Sequence, residues 1–160
     1  MFKNLYIFYH YILNMSWAPI TWIFFHSFSH KVNEEYFEKN SRLCTYLIKY
    51  ICHHLPCPTC YRHANQYLSK YNIDQCKTKQ QLIDYLWVFH NRTNVRLNKP
   101  IFTREDLEKY NRCNFDRVCL VFFQKFSQKY YYGAAMDSWL RKNVTGNLKR
   151  YFWYNWKYYT

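Results

Sequence analysis

Cys57-Pro58-Thr59-Cys60 combines residue types and a spacing that read directly as chemistry. Two thiols lie three positions apart, and Pro58 suits the first position of a helix. Unpaired backbone N–H groups and the helix dipole stabilise a thiolate there, lowering a cysteine pKa from ~8.5 to as little as ~3.5–7.5. Such a pair closes a reducible disulfide whose departing thiolate is stabilised, so the motif predicts a redox device. The same spacing is also half of a zinc site, with His53, His54 and His63 close enough in sequence to supply further ligands. On this motif alone both readings stay open.

A second cluster follows about thirty residues later, His90-Asn91-Arg92-Thr93-Asn94 and then Arg96-Leu97-Asn98-Lys99-Pro100. Leu86, His90, Asn94 and Leu97 share one helical face at steps of four, four and three. A histidine and an asparagine on an apolar stripe need buried hydrogen-bond partners. A bound polar cofactor supplies them, and so does a backbone carbonyl beside an ordinary core histidine.

The elements that position these clusters are helical. The chain has 160 residues, 49% of them hydrophobic and 23% aromatic, with two glycines and four prolines. That composition supports one core and leaves too little turn material for a many-stranded sandwich or barrel. Two isolated glycines, Gly133 and Gly146, also exclude the glycine-rich phosphate loops of Rossmann and P-loop enzymes. Ser16 with Pro19 predicts a helix to about Lys31 carrying Ile20, Ile23, Phe24 and Phe28. A second helix is predicted from about Tyr36 to His54 with Leu43, Leu47, Tyr50 and Ile51 inward, ending before Leu55-Pro56. The third starts at Cys57-Pro58 and runs to Tyr71-Asn72 with Tyr61, Ala64, Tyr67 and Leu68 as its stripe. Thr78 and Gln81 form a capping box that opens a fourth, to about Asn98, and Thr103 with Glu105 and Asp106 opens a fifth. Residues 116–132 read as helical, followed by a tail rich in aromatic and basic residues.

Taken together and in order, Trp22-Ile23-Phe24-Phe25-His26, Cys57-Pro58-Thr59-Cys60 and His90-Asn91-x-x-Asn94 resemble the Erv/ALR family of FAD-linked sulfhydryl oxidases, from about Trp17 to Tyr110. The opening Trp17-Ala18-Pro19-Ile20-Thr21-Trp22 is most similar to the versions carried by large cytoplasmic DNA viruses. The resemblance implies an all-α fold, a four-helix bundle with a short fifth helix, holding FAD. It implies that Trp22, His26, Trp87, His90, Asn91, Asn94, Leu97 and Lys99 bind FAD, with no metal ligands. Cys57 and Cys60 match the redox pair, Cys60 facing the flavin and Cys57 facing solvent. The implied reaction takes electrons from protein dithiols, virion or assembly proteins in a virus, to oxygen, with hydrogen peroxide as product. A homodimer in the cytoplasm, at viral assembly sites or in the virion is also implied.

Two departures from the family pattern stand out. Thr93 replaces a valine, and Trp87 stands where many cellular members place a cysteine, so no structural bridge is expected at Cys76. Cys113 and Cys119 are the remaining pair for a shuttle disulfide, while Cys44 and Cys52, about 12 Å apart along one helix, read as buried thiols. The formal charge of +13 suits several anionic partners, but the basic residues are spread along the chain and nucleic acid is not expected. Leu5–Leu13 is too short to span a bilayer, so no transmembrane segment is expected. The boundaries expected are an extension over 1–14 with translation from Met15, an oxidase bundle over 15–112 and a basic aromatic extension over 113–160. The reading from another class is a zinc-stabilised helical binding module, possibly nucleic-acid binding, built on the same cysteines.

Overall fold

A computed structural model describes residues 14–130 and 138–159, and the expected extension over 1–14 lies outside them except for Asn14. All regular elements described are helices, and none is long and apolar enough to cross a membrane. They are α1 (Trp17–Lys31), α2 (Glu34–Cys52), α3 (Pro58–Lys70), α4 (Lys79–Arg96), α5 (Glu108–Asn111), α6 (Phe115–Phe126) and α7 (Ser138–Asn155).

Helix α1 is the centre of the molecule. Eleven of its 15 residues are buried, so it lacks the polar stripe of a surface helix and has neighbours on both sides. Trp22 and His26 turn toward α4, where Trp22 meets Phe89 edge-on at 5.2 Å. Phe24 and Phe28 turn the other way, and Phe24 stacks on Phe122 of α6 at 4.2 Å. Helix α7 closes that side through Val144, Leu148 and Phe152, so the aromatic tail packs on the bundle. Arg141, 1% exposed, donates from Nε to the Phe126 carbonyl at 2.9 Å and so caps the negative end of α6.

The helix boundaries follow local chemistry. Thr78 and Gln81 make both bonds of the expected capping box, while Ser16 precedes α1 without a side-chain cap. Helix α2 begins at Asn33, whose Oδ1 accepts from the Tyr36 N–H. Its inward face is Cys44, Leu47, Ile48 and Ile51, and Leu43, expected inside, is 42% exposed. The shift of one position matters because a neighbouring residue lies about 100° around the helix. The expected fifth helix is a 3₁₀ turn, Glu105–Leu107, running into the four residues of α5.

The end of α4 presents the second sequence cluster. Asn98 adopts φ 53°, its N–H bonds to the Val95 carbonyl, and the Lys99 N–H bonds to the Asn94 carbonyl at 2.9 Å. These two bonds define a Schellman turn, with asparagine in the left-handed position that glycine usually takes. The turn redirects the chain so that Lys99 reaches the cavity described below. Asn98→Gly is expected to keep or slightly raise stability, and Asn98→Val to lower it by about 1 kcal/mol. Urea unfolding checks this, and equal midpoints for the two variants would contradict it.

Candidate functional site

The N-terminal half of α1, the end of α2, the start of α3 and the C-terminal half of α4 enclose a cavity of about 520 Å³. That volume lies in the range of roughly 300–1,000 Å³ typical of small-molecule sites. Trp22, Phe25 and Phe89 form an aromatic wall, and Cys60 and Ala64 reach it from α3. Arg96, Lys99 and Lys109 also line it, whereas no carboxylate does. None of these three cations makes an ion pair among the described residues.

Helix α3 sets the cysteines apart by its first turn. Cys57 is the N-cap, and its Sγ accepts the Cys60 backbone N–H at 3.2 Å. Cys60, one turn on, borders the cavity, and Cys57 does not. Both are half-buried free thiols. Burial pushes the Cys60 thiol up to about 12, the neighbouring Cys57 adds to this, and only Arg96 among the nearby charges opposes it. The lowered pKa expected at a helix start is therefore not found at Cys60. Desolvation, with Cys57 beside it, outweighs the helix start and Arg96.

The wall is held by two histidines from different helices. His26 Nε2 and His90 Nδ1 share a hydrogen bond of 3.0 Å, and the His90 ring stacks on Trp22 at 4.3 Å and 5°. Burial lowers both pKa values, that of His90 to about 4, so both rings are neutral at pH 7 and one donates to the other. His26 Nδ1 is buried without a partner. Such an atom is costly to leave unsatisfied and marks where a polar group is missing.

The eight residues singled out for the cofactor divide into two layers. Trp22, His90, Asn94, Leu97 and Lys99 line the cavity, whereas His26, Trp87 and Asn91 stand behind it. Asn91 donates to the Phe102 carbonyl and accepts the Phe102 N–H, both at 2.8 Å. Trp87 Nε1 donates to the same carbonyl at 2.8 Å. Together they fasten the segment after α4 across His26 and His90, whose rings face Phe102 at 5.5 and 5.2 Å. Thr93 satisfies its hydroxyl on the Phe89 carbonyl at 3.1 Å. Arg96 and Lys109 were not singled out. Arg96 stands in the quoted cluster at helical spacing from Lys99, but Lys109 arrives only through the fold.

The remaining cysteines and histidines lie elsewhere. Cys44 and Cys52 are buried as expected, with burial pushing their thiols up to about 11 and about 12. Cys113 and Cys119 are buried too, because the start of α6 packs onto α1, and Cys113 donates to Ser27 Oγ at 3.2 Å. A shuttle pair needs exposed thiols, so the structure does not favour that role. His53 and His54 turn their Nδ1 atoms onto the Lys49 and Tyr50 carbonyls at 2.6 and 2.7 Å. Among the described residues no three His, Cys, Asp or Glu side chains converge as a metal site, and nothing supports the zinc-module reading.

A helical bundle that sets a Cys-x-x-Cys pair at the edge of an aromatic, cationic cavity defines a class of site. The sequence model of the Erv1 / Alr family matches residues 19–112, and the chain belongs to that family. A protein of Invertebrate iridescent virus 3, named "Putative FAD-linked sulfhydryl oxidase 096R", is 29% identical over 101 residues, covering 62% of this chain and 68% of the viral protein. No solved structure matches the chain.

The histidine pair makes stability depend on pH. A histidine whose folded pKa is depressed contributes stability that is present above its unfolded pKa near 6.5 and lost as pH falls toward the folded value. For His90 the window runs from 6.5 down to about 4, and His26 acts in the same direction. The loss for His90 across it is about 2–3 kcal/mol, scaled down for its partial exposure. Urea midpoints between pH 7.5 and 4.5 are expected to fall steeply in the parent and less steeply in His90→Gln. Parallel curves would contradict this assignment.

Proposed function

We propose that Cys57 and Cys60 are the redox pair of this FAD-linked thiol oxidase and that the cavity beside Cys60 holds the cofactor. The observation that carries the reading is the division of the pair, with Cys60 on the cavity and Cys57 off it. The lining fits FAD. Its pyrophosphate carries two negative charges, and Arg96, Lys99 and Lys109 offer cations with no carboxylate among them. Trp22 and Phe89 offer flat aromatic surface for a ring system, and Asn94 offers polar atoms. We assign Trp22, His90, Asn94, Leu97 and Lys99 to direct contact, and His26, Trp87 and Asn91 to holding the wall. When bound, FAD supplies the acceptor for two electrons and passes them to oxygen, with hydrogen peroxide as product.

The protein's own part is thiol chemistry. A substrate thiolate attacks Cys57 Sγ of the oxidised pair, the Cys57–Cys60 bond breaks, and Cys60 departs as a thiolate. A second substrate thiol then displaces Cys57, releasing the product disulfide. Arg96 supplies the positive field that offsets the burial of Cys60. Position decides the roles, since Cys60 borders the cavity and Cys57, equally half-buried, lies off it. Protein dithiols, those of virion or assembly proteins included, are the substrates in this reading, with action in the cytoplasm, at assembly sites or in the virion. Residues 15–112 are the oxidase bundle in this reading, and helices α6 and α7 close its second side.

Purified protein is expected to be yellow, to consume dithiothreitol under air and to release peroxide, with Cys57→Ser and Cys60→Ser each falling to the buffer rate. Colourless protein that fails reconstitution with FAD and leaves dithiothreitol intact would contradict the reading. A homodimer belongs to the same proposal. Helix α1 is covered on both sides, so the surface offered to a second copy is exposed Leu43 and Tyr46 on α2, with half-buried Tyr50 stacked beside Tyr46. Light scattering is expected to give twice the 20.1 kDa chain mass, reduced to one chain in Tyr46→Glu. A parent of single-chain mass would contradict the dimer.

A further inference from the structure

We infer that the redox end of the bundle selects a particular class of substrate, protein segments whose cysteines are flanked by aspartate and glutamate. The inference rests on the oxidase reading above and concerns which thiols reach Cys57.

The charges of this chain are sorted along the bundle. No aspartate or glutamate occurs in residues 1–33, 39–73 or 85–104. Those stretches supply all of α1, α3 and the redox-end halves of α2 and α4. Most of the acids lie away from that end, Asp106 beside the cavity-lining Lys109 being an exception. Glu34, Glu35 and Glu38 open α2, a helix of 19 residues whose other end leads to Cys57, about 28 Å away at 1.5 Å per residue. Glu108 acts electrostatically on His30, near the far end of α1. Asp74 and Asp84 are already paired, with Lys49 and Arg104. Asp116 opens α6, which packs on the Phe24 side of α1.

At the redox end the cations make no ion pair among the described residues, although Lys109 lies over the Phe102 and Tyr110 rings. Arg62, one turn beyond Pro58 on α3, is exposed and makes no ion pair among the described residues. Arg96, Lys99 and Lys109 are likewise free of ion pairs, and all three are exposed at the cavity. Two negative charges of a bound FAD leave a positive balance among these four groups, even with Asp106 acting on Lys109. Exposed Leu97 adds apolar surface at the same cavity.

The occupant of this rim during turnover is a polypeptide, because it must bring cysteine sulfur to Cys57. Complementary charge raises the encounter rate of such a partner, and the effect weakens as salt screens it. The positive rim also favours the thiolate form of the incoming cysteine, which is the attacking species.

The test uses the FAD-loaded full chain, dithiothreitol as a neutral dithiol, and three peptides that share one Cys-x-x-Cys core with Glu, Gln or Lys flanks. At low salt kcat/KM is expected to favour the Glu over the Lys peptide by about tenfold, with the ratio shrinking severalfold in 0.3 M salt. Arg62→Glu is expected to narrow the ratio while dithiothreitol turnover stays at the parental rate. Oxidation of dithiothreitol with equal turnover of all three peptides would overturn the inference and leave the oxidase reading standing. Equal turnover with Arg62-dependent binding of a short duplex DNA would assign the rim to nucleic acid instead. Failure to oxidise dithiothreitol at all would remove the oxidase reading and the inference with it.

Discussion

The burial of α1 on both sides is the constraint from which the rest of the structure follows. A helix this apolar cannot stand at a surface, so it forces two opposed layers around itself. On one side it builds a wall with α4 in which Trp22, His26 and His90 are locked by stacking and one hydrogen bond. On the other, its phenylalanines recruit α6 and α7. The cavity exists because the first layer meets the α2–α3 corner without filling the space between them. The second layer keeps α1 from shifting, since moving it would uncover Phe24 and Phe28, which are 1% and 0% exposed.

Electrostatics then separates two functions that the same few residues serve. Burial drives the histidine pair neutral and the Cys60 thiol up, so the apolar wall carries no charge of its own at neutral pH. Charge is supplied instead by side chains that enter from the rim, among them Arg96 and Lys99 on either side of the Asn98 turn. A dry wall with cations at its edge suits a ligand that is flat and aromatic at one end and anionic elsewhere, which is the character of FAD.

Local signals in the sequence are legible, whereas features set by distant contacts are not. Pro58, Thr78 and Gln81 act within one turn of themselves, so the start of α3 and the capping box of α4 could be placed from the sequence. The Cys57/Cys60 division also follows from one helical turn. Depth is another matter, because His26 and His90 are 64 residues apart and only their packing decides which one lines the cavity. Asn91 and Trp87 read as ligand contacts, yet both are spent on the Phe102 backbone eleven and fifteen residues on. Cys113 and Cys119 read as a shuttle pair because nothing local reveals that α6 will dock on α1. Leu43 was placed inward because the period alone does not say which of two adjacent positions meets α3 and α4.

The central claim is that Cys60 shares the cavity with the cofactor and Cys57 faces the substrate. Differential alkylation of the reduced protein, read by mass spectrometry with and without added FAD, addresses it most directly. The account predicts faster labelling of Cys57 than of Cys60 in both states, with FAD slowing Cys60 further and leaving Cys57 unchanged. Protection of Cys57 alone, or of neither cysteine, would contradict it.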